Sequence, residues 1–591
     1  IKLYTKAIKL DPDFAEAYYN RGEANSYQEK YPEALADFNK AIELNSKYSE
    51  AYYGRGNVYS ELEQYPEAIA DFTKAIKLDS KNALFYNDRG FAYSALKKHA
   101  EAIEDYTKAI ELDADDANSY YNNRGDAYSA LNKFAEAVED YTNAIKLDPK
   151  DSSAYSSRGD AYFELQKMPE ATADFNKAIK LDANNAKAYS GRGVMYGMEG
   201  KNPEAFADFN KAIKLDPKDP RGYFGRGMVY FIQQKLPEAL TEFNKAVEVD
   251  PKYPRAYAPR GALYNMQGKV PEALADFTKA IDLNPKDKRA YSDRGRVYTE
   301  LKKYTEAIGD YTKVIELEPK SVNVYKMRGD AYFNQGKYPE AIPDYTKYLE
   351  LDPKDAITYF NRGNAYNILK KNAEAFADYT KVIELDPKYV DAYIQRAAIY
   401  FQQNKHAEAI ADYTKAIELD SRNSITYYNI GQAYYKSEKK AEALANYTKA
   451  IELAPKDMDA YIKRGIVYFE QGKHAEALAD CNKILELDPT LAIAYDLRGD
   501  THFALKKFPE ALADFTKAIE LNPKDKGAYS DRGDTYFELK KYAEAIADFT
   551  KAIELDPKNP GRYNKRGNAY KALEKTKEAE EDFAKAKALE K

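Results

Sequence analysis

The sequence predicts an all-α solenoid of stacked helix–turn–helix units, and three observations carry that expectation. The dipeptide Arg-Gly returns at intervals of 34 residues along almost the whole chain. Each interval holds two stretches whose apolar residues recur at spacings of three and four, the period of an amphipathic helix. The chain has 591 residues, more than one hydrophobic core serves, so it must divide into domains or repeat.

The register begins at Arg21, Arg55, Arg89 and Arg124, then steps by 34 from Arg158 to Arg396, and resumes at Arg464, Arg498, Arg532 and Arg566. Ile430 fills the missing place, and the single 35-residue step falls between residues 113 and 124, a connection where an insertion costs little. Residues 1–14 are the end of a second helix, and 15–591 are seventeen tandem units.

Ser49–Asn82 is a representative unit. Tyr52, Arg55, Gly56 and Tyr59 mark its first helix; Ala68, Ile69, Phe72, Ala75, Ile76 and Leu78 mark its second. The turn lies around Glu63–Pro66. Pro66 suits a first helical turn, where its missing N–H costs nothing, and Glu67 suits the positive end of the helix dipole. Gly200, Gly268, Gly336 and Gly472 stand in equivalent turns as C-cap glycines. Runs such as Asp148-Pro149-Lys150 close the second helix. Pro259, in a first helix, and Pro343, in a second, are each expected to remove a hydrogen bond and bend their helix.

The pattern Tyr52…Arg55-Gly56…Tyr59…Ala68…Phe72…Ala75 resembles the tetratricopeptide motif, with Tyr for its Trp and Arg for its Leu. The resemblance covers essentially the whole chain. It implies a right-handed superhelical solenoid whose inner groove is lined mainly by the first helix of each unit and holds peptides or extended protein segments. It also places Gly56 opposite Ala68, two small residues that let a helix pair approach.

An arginine in a place that is apolar in the motif should be partly buried and needs a carboxylate. Every unit with the arginine has Asp or Glu sixteen residues later, as in Arg21 with Asp37, Arg55 with Asp71 and Arg226 with Glu242. Where Ile430 replaces it, the acid becomes Asn446. A repeated Arg–carboxylate pair between the two helices is therefore expected.

Charged residues are 31% and hydrophobic ones 44% of the chain, which suits a folded protein. The net charge of −6 argues against a nucleic-acid partner, and no apolar run is long enough for membrane insertion. One cysteine, Cys481, permits no intrachain disulfide and fits a reducing compartment, so a cytoplasmic location is favoured.

Catalytic and metal sites are not expected, nor a cofactor. His99, His406, His474 and His502 each replace a tyrosine of other units, and Cys481 takes the place of Phe72. Gly193, Gly197 and Gly200 fall in helix and turn places, so they form no phosphate loop, and the sequon at Asn446 falls mid-helix.

Function should lie where the copies differ, at the groove places equivalent to Glu50, Tyr53, Gly54, Asn57, Ser60 and Glu61. Members of the family that bind chaperone tails need a basic, Asn-rich clamp. Here Lys326 is the only Lys at the Tyr53 place, and Asp330 stands where Asn is required, so that use is not implied. One stretch stands out. The Glu50 place becomes Lys187, Arg221, Arg255 and Arg289 in successive units, beside Val194, Met198, Phe224, Met228, Phe231, Ile232 and Met266. A basic edge along an apolar floor would suit an acidic, amphipathic segment of a partner protein. Elsewhere the Asn57 place is acidic, as at Asp126, Asp160, Asp330, Asp500 and Asp534.

The leading expectation is a non-enzymatic scaffold for protein interaction. Two alternatives are a solenoid that polymerises end to end and the targeting arm of an enzyme whose catalytic domain lies outside this chain. Ile1 falls inside a second helix and Lys591 just after one, so open ends are expected to need capping.

Overall fold

A computed structural model describes residues 1–590; Lys591, the end of the last expected unit, lies outside the described residues. Among these residues there are thirty-five α-helices, one short 3₁₀ segment and no strand. The fold is an all-α superhelical solenoid. By packing the chain divides into two units, residues 1–297 and residues from 298 onward. In each, first helices of about thirteen residues alternate with second helices of fourteen, as in Ser49–Glu61 and Tyr65–Leu78.

Local chemistry explains the helix boundaries. Second helices such as Tyr65–Leu78 carry Pro in the first turn, followed by Glu67. Most end where an Asp or Asn leaves the helical conformation; the Asp148 carboxylate then accepts from the Lys150 amide at 2.9 Å. Several first helices start on a side-chain cap, as where Asp151 accepts from the Ser153 and Ala154 amides. The turn inside each repeat needs one left-handed residue. Gly200 supplies it at φ 74°, whereas Glu63 and Lys540 hold φ 57° and 60° without that freedom.

The core of a repeat is small and aromatic. Ala68, Phe72 and Ala75 are fully buried, with Tyr53, Tyr59 and Ile69 packed around them. Gly56 has a further role beside the one expected. Its nearest neighbour is the Phe72 ring, and a Cβ at Gly56 would stand 2.7 Å from Phe72 Cε1. The missing side chain makes room for the aromatic ring, and at the equivalent Gly261 also for the backbone of Ala273, the Ala68 place.

The two prolines are accommodated differently. Ahead of Pro259 the backbone makes a 3₁₀ turn, Pro254–Ala256, so that the helix Tyr257–Met266 starts late and Pro259 falls in its first turn. Pro343 lies in the sixth position of the uninterrupted helix Tyr338–Leu351.

Candidate functional site

The arginine of each repeat is a three-way tie. Arg55 Nε and Nη2 donate to the two carboxylate oxygens of Asp71 at 2.6 and 2.7 Å. The same bidentate contact joins Arg21 to Asp37, at 2.9 and 2.6 Å, and recurs down to Arg566 and Asp582. Arg226 reaches Glu242 at 2.8 Å. The remaining nitrogen reaches backward, to a Thr or Asn on the second helix of the previous repeat: Arg89 Nη1 donates to Thr73 Oγ1 at 3.1 Å. That third contact escaped the sequence reading, although Thr or Asn recurs at the Thr73 place. A tyrosine three residues earlier caps the guanidinium, as Tyr52 does for Arg55 at 5.6 Å. Where Ile430 replaces the arginine, it packs on Ala397, Ala409 and Tyr413, and Asn446 bonds to its own helix at the Glu442 carbonyl.

The groove in the first unit has its most distinctive geometry between residues 160 and 255. The helices Ala186–Met198 and Pro220–Ile232 place Gly191 and Gly225 against the Phe175 and Phe209 rings of the preceding repeats, where any Cβ would overlap the ring. First helices can therefore close on one another. Beside them lies an apolar hollow of about 200 Å³, lined by Val194, Met198, Phe224, Met228 and Ile232, with Phe209 and Val229 behind. Gly193, Gly197 and Gly225 complete its wall; sequence reasoning passed over them because each occupies an ordinary helical place.

Val194 and Phe224 also line a second hollow, of about 160 Å³, with Asp160, Lys187, Arg221, Tyr253 and Arg255 at its rim. A third, of about 210 Å³, continues from Asp160, Arg221 and Arg255 to Glu164 and Ser129.

The basic edge expected here is charge-balanced. Lys187 lies 3.3 Å from Asp160 and donates to Ser157 Oγ at 2.8 Å. Arg221 pairs with Asp219 at 2.6 Å. Arg255 reaches across the groove to Glu164 at 2.7 Å, a contact between residues 91 apart. Arg289 lies 3.7 Å from Asp293 and lines none of the hollows. Phe231 packs toward Phe243 and Leu263 instead of facing the hollow, and Met266 stands exposed beyond it. The residues brought together are Lys187, Val194, Arg221, Phe224, Met228, Ile232 and Arg255.

Lys326 and Asp330 are also engaged internally. Lys326 bonds to Asp355, and Asp330 accepts from Tyr345 Oη at 2.8 Å. Cys481 is buried, and that burial pushes its thiol up to about 12, so it stays protonated. No group of His, Cys, Asp and Glu among the described residues could hold a metal ion. No described helix is long and apolar enough to cross a membrane.

In the second unit the groove face is acidic between residues 496 and 534. Asp496 and Asp500 lie on the helix Ala492–Ala504, and Asp531 and Asp534 on Lys526–Glu538. Burial, then repulsion from Asp531, raises Asp496 to about 7 and Asp500 to about 8. Asp531 rises to about 6, chiefly by burial. Lys565 answers them, bonding to Asp534 at 2.5 Å and to Ser530 Oγ at 3.1 Å.

Family models agree with this architecture. A model described as TPR repeat matches residues 1–26, 125–166, 159–200, 196–234, 227–268, 295–336, 329–367, 397–438, 499–540 and 533–573. Models described as tetratricopeptide repeat match 15–48, 49–82, 83–116, 356–389, 378–411, 428–492 and 561–591. A search of curated proteins finds no match. Among solved structures, YrrB, described as a TPR protein with an unusual peptide-binding site, is 29% identical over 31% of this chain and 95% of its own, with a TM-score of 0.29. The Cut9–Hcn1 hetero-tetramer of the APC/C matches at 18% identity over 82% of this chain and 96% of its own, with a TM-score of 0.37. Naa15/Naa10 bound to HypK-THB matches at 15% identity over 97% and 99%, with a TM-score of 0.33.

Proposed function

The chain belongs to the tetratricopeptide repeat family, and we propose that it is a protein-interaction scaffold whose groove between Asp160 and Arg255 holds an extended, acidic and apolar segment of a partner protein. The observation that carries this reading is the apolar hollow lined by Val194, Phe224, Met228 and Ile232, which opens beside Arg221 and Arg255. A partner side chain of leucine or methionine size fills such a space and loses its contact with water. A neighbouring carboxylate of the partner takes over Arg255 from Glu164. The Arg255–Glu164 contact argues for an extended segment: an α-helix with its side chains is about 10–12 Å across, and the groove is bridged there by side chains at bonding distance.

Fluorescence anisotropy of a labelled peptide alternating Glu and Leu tests the reading. Binding should fall at least about tenfold on Gly197→Leu, which fills the hollow, and on Arg221→Glu with Arg255→Glu. Undiminished binding by both variants would place the site elsewhere.

A further inference from the structure

In the second unit the edge of the groove carries a pattern of its own. The second residue of each first helix, from the helix Ala356–Ile368 to the helix Ala492–Ala504, reads Ile357, Asp391, Ile425, Asp459 and Ile493. The three isoleucines are exposed by 53, 65 and 49%. Asp391 and Asp459 are exposed too, and neither pairs with a cation among the described residues.

Local physics does not account for these isoleucines. The first turn of a helix favours acidic side chains, as Asp391 and Asp459 illustrate, and disfavours an exposed β-branched residue. A single exposed isoleucine is ordinary. Three of them recur at one helix position in alternate repeats, with exposed Asp391 and Asp459 between them.

The charge beside them points the same way. Ile493, Asp496 and Asp500 stand at positions i, i+3 and i+7 and so share one helix face, next to Asp531 and Asp534. Around this patch the facing charges are Asp525 and Glu538, Lys565, which is bonded to Asp534, and Arg562, which is paired with Asp556 at 2.7 Å. Carboxylates thus outnumber cations where the isoleucines end.

We propose that the face running from Ile357 through Ile493 to Asp534 is a second docking surface, taking a basic segment of a partner protein whose apolar residues seat on the isoleucines and whose Lys or Arg side chains enter among the aspartates. Its charge preference is opposite to that of the groove in the first unit, so one scaffold would hold two partners without their competing.

The test uses the full chain and a labelled synthetic peptide alternating Lys and Leu, at about 0.15 M salt to screen non-specific attraction. Ile425→Ser with Ile493→Ser should weaken binding at least about tenfold, and so should Asp500→Asn with Asp531→Asn. The isoleucines are exposed, so circular dichroism and melting should be unchanged in that variant. A companion peptide with Ser for each Leu should bind at least about tenfold more weakly. Equal binding of the two peptides, or of wild type and the isoleucine variant, overturns the proposal. So does a concentration-dependent dimer that the isoleucine substitutions abolish, because the occupant is then a second copy of this chain. The Glu-Leu peptide, read against the same variants, should be unaffected; its failure to bind anywhere would count against the first groove alone.

Discussion

Arg255 and Glu164 meet at 2.7 Å across the groove although 91 residues separate them in the chain. Both side chains retain access to water, 59% for the arginine and 34% for the glutamate, so the pair contributes only about 0–1 kcal/mol to stability. Its consequence is competition. Glu164 occupies the guanidinium that an acidic partner would use. Glu164→Gln should therefore tighten binding of the Glu-Leu peptide and leave the melting curve almost unmoved. Weaker binding on that substitution would mean that Arg255 is not a contact.

The arginine pairs inside the repeats behave oppositely because they are sheltered: side-chain exposure is 20% for Arg55 and 9% for Asp71. Removing one partner strands the other. Asp71→Ala should cost about 3–5 kcal/mol locally, read as lost amide-exchange protection in the helices Ser49–Glu61 and Tyr65–Leu78. Replacing both partners as the repeat of Ile430 and Asn446 does, with Arg55→Ile and Asp71→Asn, should cost less than the single change. A double variant worse than Asp71→Ala would make the ion pair itself, rather than the avoidance of an orphaned charge, the source of stability.

These two relationships differ in how far the sequence announces them. The bidentate pair lies within one repeat, at a fixed offset of sixteen residues, and each exception at the arginine is matched at the acid, so periodicity alone exposes it. The backward contact from Arg89 to Thr73 is equally periodic, but a threonine on a helix has no conspicuous reason to be a partner. The cross-groove bridge has no sequence signature. It joins residues of different repeats, 91 apart, and no fixed offset repeats it along the chain. The charge balance of the basic edge is only half legible for the same reason: Asp219 and Asp293 are near neighbours of Arg221 and Arg289 in sequence, whereas Asp160 and Glu164 come from the repeat that starts the groove.

The acidic face should make the second unit sensitive to pH. Asp500, Asp496 and Asp531 have their carboxyls raised to about 8, 7 and 6, above the ordinary carboxylate value of about 4. The folded state thus binds more protons than the unfolded one. Stability is fully present below about pH 4 and is lost as pH rises through the raised values. Amide-exchange protection in the helices Ala492–Ala504 and Lys526–Glu538 should fall between pH 5 and 8 by more than it does in the first unit, after correction for intrinsic exchange. Asp500→Asn should flatten that dependence. A flat wild-type profile would mean that these carboxylates are well solvated.

The left-handed turn residues offer a gain. Lys540 holds φ 60° and Glu63 φ 57°, where a Cβ costs about 1 kcal/mol that glycine avoids. Lys540→Gly should stabilise its repeat by up to that amount, and Gly200→Lys, at φ 74°, should destabilise its own by a similar amount. Local exchange protection would register both shifts, and equal losses for the two substitutions would show that backbone strain is not stored there.

The strongest contrast is between two glycines of the same groove. At Gly225 a Cβ would overlap the Phe209 ring, which is buried and lines the back of the hollow. At Gly197 a Cβ would meet only Val229 Cγ2, at 3.5 Å, an ordinary van der Waals contact. Gly225→Ala should therefore cost about 1–3 kcal/mol as overpacking and push the neighbouring first helices apart. Gly197→Ala should gain about 0.5–1 kcal/mol from helix propensity alone. If close approach at Gly225 also sets the pinch, its alanine variant should lose the contact between Arg255 and Glu164. A pair of labels at those two positions would then move apart in Gly225→Ala and stay together in Gly197→Ala. Separation in both variants, or in neither, would detach the curvature of the groove from the glycine contact.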